Sequence, residues 1–336
     1  MLNPHPESLA VLAGVGNKTT VEPWPSDPIL PLTADRQKEF SLYTIPPIVT
    51  IGFIGNTLTF LVTMRKKNRH LPASLYMAML AISDNISLIS AHLFLNWMVY
   101  QLNFGAGTWF TSRVCGYLLF IIYFAGHADG WIIVAFTYDR YVATNDPLNA
   151  ATRCSIKKAG ILTSIIMAAM LLINSCTIWL GEVSILSADE PLMCLPSSNE
   201  VPHLADVYNW VEFVVGAVGP FAFLLYLNAK IISSVRSKEG PNRILGGSGK
   251  EEKESTILTR MLLLVSFMFI ILNLPFRLYR NLFLVINFGT HNARFVFDVV
   301  LNILSLNYGI NFFLYILGGG KRFRSDIRGL FVCRTT

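Results

Sequence analysis

Seven stretches of this chain are long and apolar enough to cross a membrane, near residues 42–64, 75–100, 114–136, 159–181, 207–232, 257–286 and 295–317. Each exceeds the ~20 residues that an α-helix needs to span a hydrocarbon core about 30 Å thick. A spanning segment must satisfy its backbone hydrogen bonds within itself, and none of the seven reads as a strand set punctuated by Gly and Pro. Helices are therefore expected. The chain is 53% hydrophobic and only 14% charged, against about 25% charged in a globular domain. The predicted fold is an all-α membrane protein, a seven-transmembrane helix bundle.

The net charge of +6 is unevenly placed, and the placement argues against nucleic acid as a partner. Of 27 Lys and Arg, 20 fall on one side of the bundle. They cluster at Arg65–Arg69, around Arg140–Lys158, along Lys230–Arg260 and in the tail from Lys321 to Arg334. Positive residues mark cytoplasmic loops, so the amino terminus is expected outside and the carboxyl terminus inside, in the plasma membrane. Three regions follow: an extracellular tail over 1–40, a membrane domain over 41–319, and a cytoplasmic helix and terminus over 320–336. The tail lacks the charged-then-apolar leader of a cleaved signal peptide and offers Asn17-Lys18-Thr19 as a glycosylation acceptor. Asn85-Ile86-Ser87 has the same pattern but lies within the second span.

Polar residues inside the spans are costly and so carry information. Asn56 in the first span reads as interhelical glue. Asp84 in the second is a carboxylate near the bilayer centre, structural or ion-responsive. In the third, Asp129 precedes Arg140 by 11 residues, close to three helical turns, and Ile122 falls on the same face. Two carboxylates near one another in low dielectric require that one be protonated or that a cation sit between them, with sodium the candidate. Cys115 opens this span, and Cys194 is its obvious partner on the outer side, where an oxidising compartment favours a disulfide. Gly318-Gly319-Gly320 breaks the last span, and Lys321 to Val332 suits a short amphipathic eighth helix on the inner leaflet. Cys333 beside it is a palmitoylation candidate.

In order along the chain stand Gly55-Asn56, Leu80-Ala81-Ile82-Ser83-Asp84, Cys115, Asp139-Arg140-Tyr141, Pro220, Phe269 with Pro275, and Asn307 through Asn311 to Tyr315. With these motifs the chain resembles a rhodopsin-like (class A) G-protein-coupled receptor. Asn311-Phe312-Phe313-Leu314-Tyr315 is most similar to neuropeptide receptors. The resemblance implies that Asp139 restrains Arg140 at rest. It also implies that Arg140, with Tyr141 beside it, contacts the G protein when the sixth helix swings outward, and that Tyr315 supports the open state. Asn56, Asp84, Asp129, Asn307 and Asn311 form the expected polar core and candidate sodium site. Departures from the family pattern are Met167 for a tryptophan, Asn228 for a tyrosine, and Asn273 for the switch tryptophan of helix six.

The outer half narrows the ligand. Residues 295–317 hold no lysine for retinal, and Ile122 stands where amine receptors place a carboxylate. Arg277 and Arg280 follow Pro275 by two and five residues, and guanidinium groups prefer carboxylates, sulfates or amide carbonyls. Glu212, Glu182 and Asp298 are candidate counter-charges, either for these arginines or for a basic ligand residue, and an internal Arg277–Glu212 pair is the bland alternative. His127 is a further pocket candidate or a hydrogen bond to a neighbouring helix. The sequence carries no P-loop, no Gly-x-Ser-x-Gly elbow and no His-Glu-x-x-His, so no enzyme is expected. The expectation is a receptor for an extracellular ligand, a short neuropeptide, acting through heterotrimeric G proteins, with arrestin, receptor kinases and membrane lipids as further partners. The alternatives are a small anionic or lipid ligand, or a seven-helix transporter or channel.

Overall fold

The computed structural model describes residues 30–90, 108–146, 149–184, 193–196, 202–238, 250–286 and 293–331. The chain divides into a unit of residues 1–40 and a unit of residues 41–336, and every site below lies in the second. The long helices are α1 (Leu30–Thr63), α2 (Pro72–Leu88), α3 (Thr108–Asn145) and α4 (Ile156–Asn174). Then come α5, α6 (Lys250–Ile286), α7 (Ala293–Gly318) and α8 (Gly320–Phe331). α5 is built from Pro202–Phe213 and Gly219–Lys238 joined by a π-helical turn, Val214–Val218.

Among the described residues, six helices are long and apolar enough to cross a membrane: Tyr43–Thr63, Arg113–Asn145, Ile156–Leu180, His203–Ser237, Thr256–Asn281 and Val299–Gly318. The remaining expected span, 75–100, is described only to residue 90. α1 begins at Leu30, inside the region read as tail, because Ala34, Arg36, Gln37, Lys38 and Glu39 are good helix formers. Asn17 and Cys333 lie outside the described residues, as does the side chain of Asp298.

Local chemistry sets the helix ends and bends. Pro72 opens α2, where a missing N–H costs nothing, after an extended Leu71. Ser155 caps α4 by accepting from the Lys158 amide. Pro220 cannot donate to the carbonyl four residues back and its ring crowds that turn, and the helix widens into its π turn just before it. Gly319 ends α7 by donating its amide to the Tyr315 carbonyl at 2.8 Å.

α3 is the central rod, about 57 Å long at ~1.5 Å per residue. It packs against α2, α4 and α5. Its Ile132, Ile133 and Phe136 meet Leu80 of α2, Leu224 of α5, Leu262 and Phe269 of α6 and Tyr315 of α7 in the main core. At the Cys115 end a two-stranded antiparallel hairpin, β1 (Gly181–Ser184) and β2 (Met193–Pro196), sits on α3 with Val183 opposite Cys194. A side chain at Gly181 would collide with the Gly116 backbone, so the hairpin seats only because both residues are glycine. Four-residue strands carry too little pattern for alternation to show, and the hairpin has no clear sequence signal.

Candidate functional site

Three polar sites lie along α3, one toward the hairpin, one in mid-bundle and one at the other end. Near the end closed by the hairpin, the Cys115–Cys194 disulfide is formed, with Cα atoms 5.6 Å apart. Below it three helices converge on one carboxylate. Glu212 of α5 is paired with both Arg277 and Arg280 of α6, and His127 Nε2 of α3 lies 3.4 Å from its Oε1. Helical spacing explains the convergence. Tyr123 and His127 are four apart on α3, Tyr208 and Glu212 four apart on α5, and Arg277 and Arg280 three apart on α6, so each pair shares a face.

The surrounding groups hold the cluster in place. Arg280 Nη2 donates to Asn209 Oδ1 at 3.2 Å, and its guanidinium stands 4.9 Å from the centre of the Tyr123 ring. Tyr208 Oη donates to Asn174 Oδ1 of α4 at 3.0 Å. A Cβ on Gly216 would lie 2.5 Å from His127 Nε2 and 2.8 Å from Arg277 Nη1. The bare backbone of the π turn therefore lets the cluster reach α5. The cluster sets two guanidiniums against one carboxylate, and Glu212 is wholly buried.

Arg277 thus rests on Glu212, the internal pair weighed as the bland reading, and His127 bonds across to a neighbouring helix. Arg280 keeps 11% of its side chain exposed against 6% for Arg277, and so is the more reachable of the two. Ile122 is half-buried on α3. Tyr123, Asn209, Tyr208 and Asn174 belong to the cluster but were not singled out from sequence. For Tyr123, Tyr208 and Asn209 the spacing of three or four from His127 or Glu212 was the available signal, and Asn174 on α4 had none.

Arg277 also shares a stripe of α6 with Asn273 and Phe269, each four residues apart and all buried. Asn273 donates its side-chain amide to the Phe269 carbonyl at 2.8 Å, so it is tied to its own helix across the turn below Pro275. Phe269 packs edge-on against Phe221 of α5 at 5.9 Å. One face of one helix therefore carries both the polar cluster and the packing beneath it.

In mid-bundle, Asn56 donates to the Tyr308 carbonyl at 2.9 Å and Asn311 to Asp84 Oδ2 at 2.8 Å. Asp84, Asp129, Asn307 and Asn311 are all buried. Of the residues that the sequence placed in a polar core, the structure joins Asn311 of α7 directly to Asp84 of α2, and Asn56 of α1 bonds the α7 backbone instead.

At the other end of α3, Arg140 Nη2 donates to Asp139 Oδ2 at 2.5 Å. Asp139 is buried and Tyr141 half-buried. Cys154 donates its thiol to the Asp139 carbonyl at 3.4 Å, and burial together with the nearby Asp139 carboxylate pushes that thiol up to about 11. Tyr315 is fully buried, its ring edge-on to Phe323 of α8, and among the described residues its hydroxyl has no hydrogen-bond partner. The same holds for both side-chain polar atoms of Asn228 and for Arg140 Nε.

A latch not anticipated from sequence joins the turn after α1 to α8. Asp326 pairs with Lys67 and accepts from Asn68 Nδ2 at 2.8 Å, while Arg65 donates to the Asp326 carbonyl at 2.9 Å and the Gly329 carbonyl at 3.1 Å. Its signal was Asp326 itself, the one acid in a basic tail.

Residues 55–315 match the family described as 7 transmembrane receptor (rhodopsin family). The thyrotropin-releasing hormone receptor of Mus musculus is 31% identical over 126 residues, 36% of this chain and 30% of that receptor's length. Cysteinyl leukotriene receptor 2 of Sus scrofa is 26% identical across 88% of this chain and 84% of its own. Galanin receptor 2b of Danio rerio is 23% identical across 85% of this chain and 73% of its own. The family match covers well over half of the chain, and on that extent the protein belongs to the rhodopsin family of seven-transmembrane receptors.

Proposed function

We propose that the protein is a plasma-membrane receptor that binds a short extracellular neuropeptide and activates heterotrimeric G proteins. In this reading the amino terminus is outside and the carboxyl terminus inside, the arrangement that the 20-to-7 division of Lys and Arg favours. α8 lies on the inner leaflet as a short amphipathic eighth helix, with Lys321, Arg324 and Arg328 outward and Phe323 buried. The observation that carries the ligand assignment is the cluster at the disulfide end. It holds two guanidiniums against one carboxylate, an excess of donors suited to peptide carbonyls and carboxylates. Similarity to the thyrotropin-releasing hormone receptor and to galanin receptor 2b supports the same reading. Arg280, Glu212, His127, Ile122 and Asp298 contribute to the pocket, and Arg277 acts through Glu212.

Asp139, Arg140, Tyr141 and Tyr315 form the G-protein-coupling end. Arrestin and receptor kinases are expected to use the same inner face. Cells expressing the receptor, screened with a peptide library and with lipid and nucleotide panels by calcium and cyclic-AMP readouts, test the ligand assignment. A response confined to lipids or nucleotides would remove the peptide reading, and uptake or current without G-protein dependence would favour a transporter or channel.

The mid-bundle carboxylates serve as a sodium-responsive pocket with Asn307 and Asn311. Raising sodium is expected to weaken agonist binding to the parent, and Asp84→Asn, which keeps the shape and removes a charge, is expected to abolish that dependence. Equal sodium sensitivity in mutant and parent would refute the site.

A further inference from the structure

A cavity of about 500 Å³ opens between the inner end of α3, the loop after it and the start of α4. We infer that it binds one anionic glycerophospholipid, with the phosphate held at Arg153 and Lys158 and an acyl chain lying along Ile161 and Ile165.

The walls are arranged as an amphiphile requires. Lys158, Ile161 and Ile165 recur at spacings of three and four and so share one face of α4. From Lys158 to Ile165 the helix rises about 10 Å, enough to pass from headgroup level into the acyl region. Ile161 and Ile165 are 62% and 60% exposed, on a helix long and apolar enough to cross the membrane. Tyr138, half-exposed on α3, lines the same cavity and suits the interfacial level where aromatic rings with a polar tip collect.

The charge at the rim is cationic in excess. Arg153 and Lys158 line it and are exposed, and the carboxylates near them are Asp139 and Asp146. Asp139 is engaged by Arg140, and Asp146 lies 3.6 Å from Arg153 while also accepting from Asn149. Among the described residues Lys158 Nζ donates to a single carbonyl, that of Thr152 at 2.9 Å, so two of its three protons can meet a phosphate. A free anion would use the rim and leave the aliphatic wall uncovered; a zwitterionic lipid would cover the wall and bring no net charge to the rim. An anionic phospholipid does both.

The site adjoins the coupling end. Cys154 lines the cavity and is hooked to the Asp139 carbonyl, so a lipid that grips Arg153 and Lys158 steadies the loop hydrogen-bonded to the Asp139–Arg140 pair. The inference rests on the proposed orientation only in naming the inner leaflet, where anionic lipids are concentrated.

Native mass spectrometry of the purified full-length receptor with equimolar phosphatidylserine and phosphatidylcholine tests it without agonist or G protein. The parent is expected to retain one phosphatidylserine over phosphatidylcholine by roughly tenfold, the scale of one charge-assisted contact. Arg153→Gln with Lys158→Gln should lose that preference. Ile161→Trp, which crowds the wall from an exposed position and changes no charge, should lose retention of both lipids. Lys230→Gln, an exposed lysine on α5 away from the cavity, should behave as the parent. Equal retention of the two lipids by the parent, an equal loss in Lys230→Gln, or an unaltered Ile161→Trp would overturn the assignment. Displacement of the lipid by millimolar inorganic phosphate would instead reveal a soluble-anion site and overturn the lipid.

Discussion

Glu212→Ala is expected to destabilise the receptor by about 3–5 kcal/mol, the cost of removing one partner of a buried ion pair. The cause is what remains. Arg277 and Arg280 keep only 6% and 11% of their side chains exposed, and both depend on the one carboxylate. Arginine cannot escape by losing its proton. The midpoint of thermal unfolding in detergent measures the effect, with disulfide-intact protein in every sample. Glu212→Gln should fall between parent and Ala, because the amide keeps an acceptor but no charge. Replacing all three, with Glu212→Leu, Arg277→Met and Arg280→Met together, should recover most of the loss, since apolar side chains of similar volume carry no desolvation penalty. An unchanged midpoint in Glu212→Ala would mean that water reaches the guanidiniums and that the cluster does not join α5 to α6. The triple variant then separates roles: regained stability without ligand response would show that the charges serve recognition.

Arg140→Ala is expected to remove agonist-driven nucleotide exchange while leaving surface abundance and ligand binding intact. Arg140 lies at the far end of α3 from the polar cluster and touches none of it, so its truncation has no route to the pocket. Loss of a contact residue worth about 2 kcal/mol corresponds to roughly a thirtyfold fall in G-protein affinity. The complementary change, Asp139→Asn, removes the charge that holds Arg140 at 2.5 Å and should raise exchange in the absence of agonist. GTP-analogue uptake by a reconstituted receptor and G protein reads both. Undiminished exchange in Arg140→Ala would overturn the assigned role, and a silent Asp139→Asn would show that the pair does not restrain the resting state.

The membrane character of the chain, its helices and its two α3 landmarks were legible because they depend on local patterning. Long apolar runs, Cys115 with Cys194, Asp139-Arg140-Tyr141 and the spacing of Asp129 from Arg140 need no knowledge of neighbours. The polar core was legible for a related reason. A bilayer makes each buried Asn or Asp expensive, so Asn56, Asp84 and Asn311 had to find partners, and two bonds now show where: Asn56 to Tyr308 and Asn311 to Asp84.

Partner choice was not legible, because it depends on how the helices rotate against one another. Two arginines and three acids allowed several pairings, and only packing assigned both arginines to Glu212, with Gly216 clearing the space. The hairpin on α3, the Asp326 latch and the cavity beside Cys154 likewise join residues far apart in the chain or bring loop against helix. By itself the sequence determined that this chain crosses the membrane as helices and carries a charged pair at one end of a disulfide-anchored rod, since hydropathy and helical period are properties of each segment alone. Which arginine meets which carboxylate was decided only by the tertiary structure, since a buried charge is satisfied by whatever the neighbouring helix presents at the same depth.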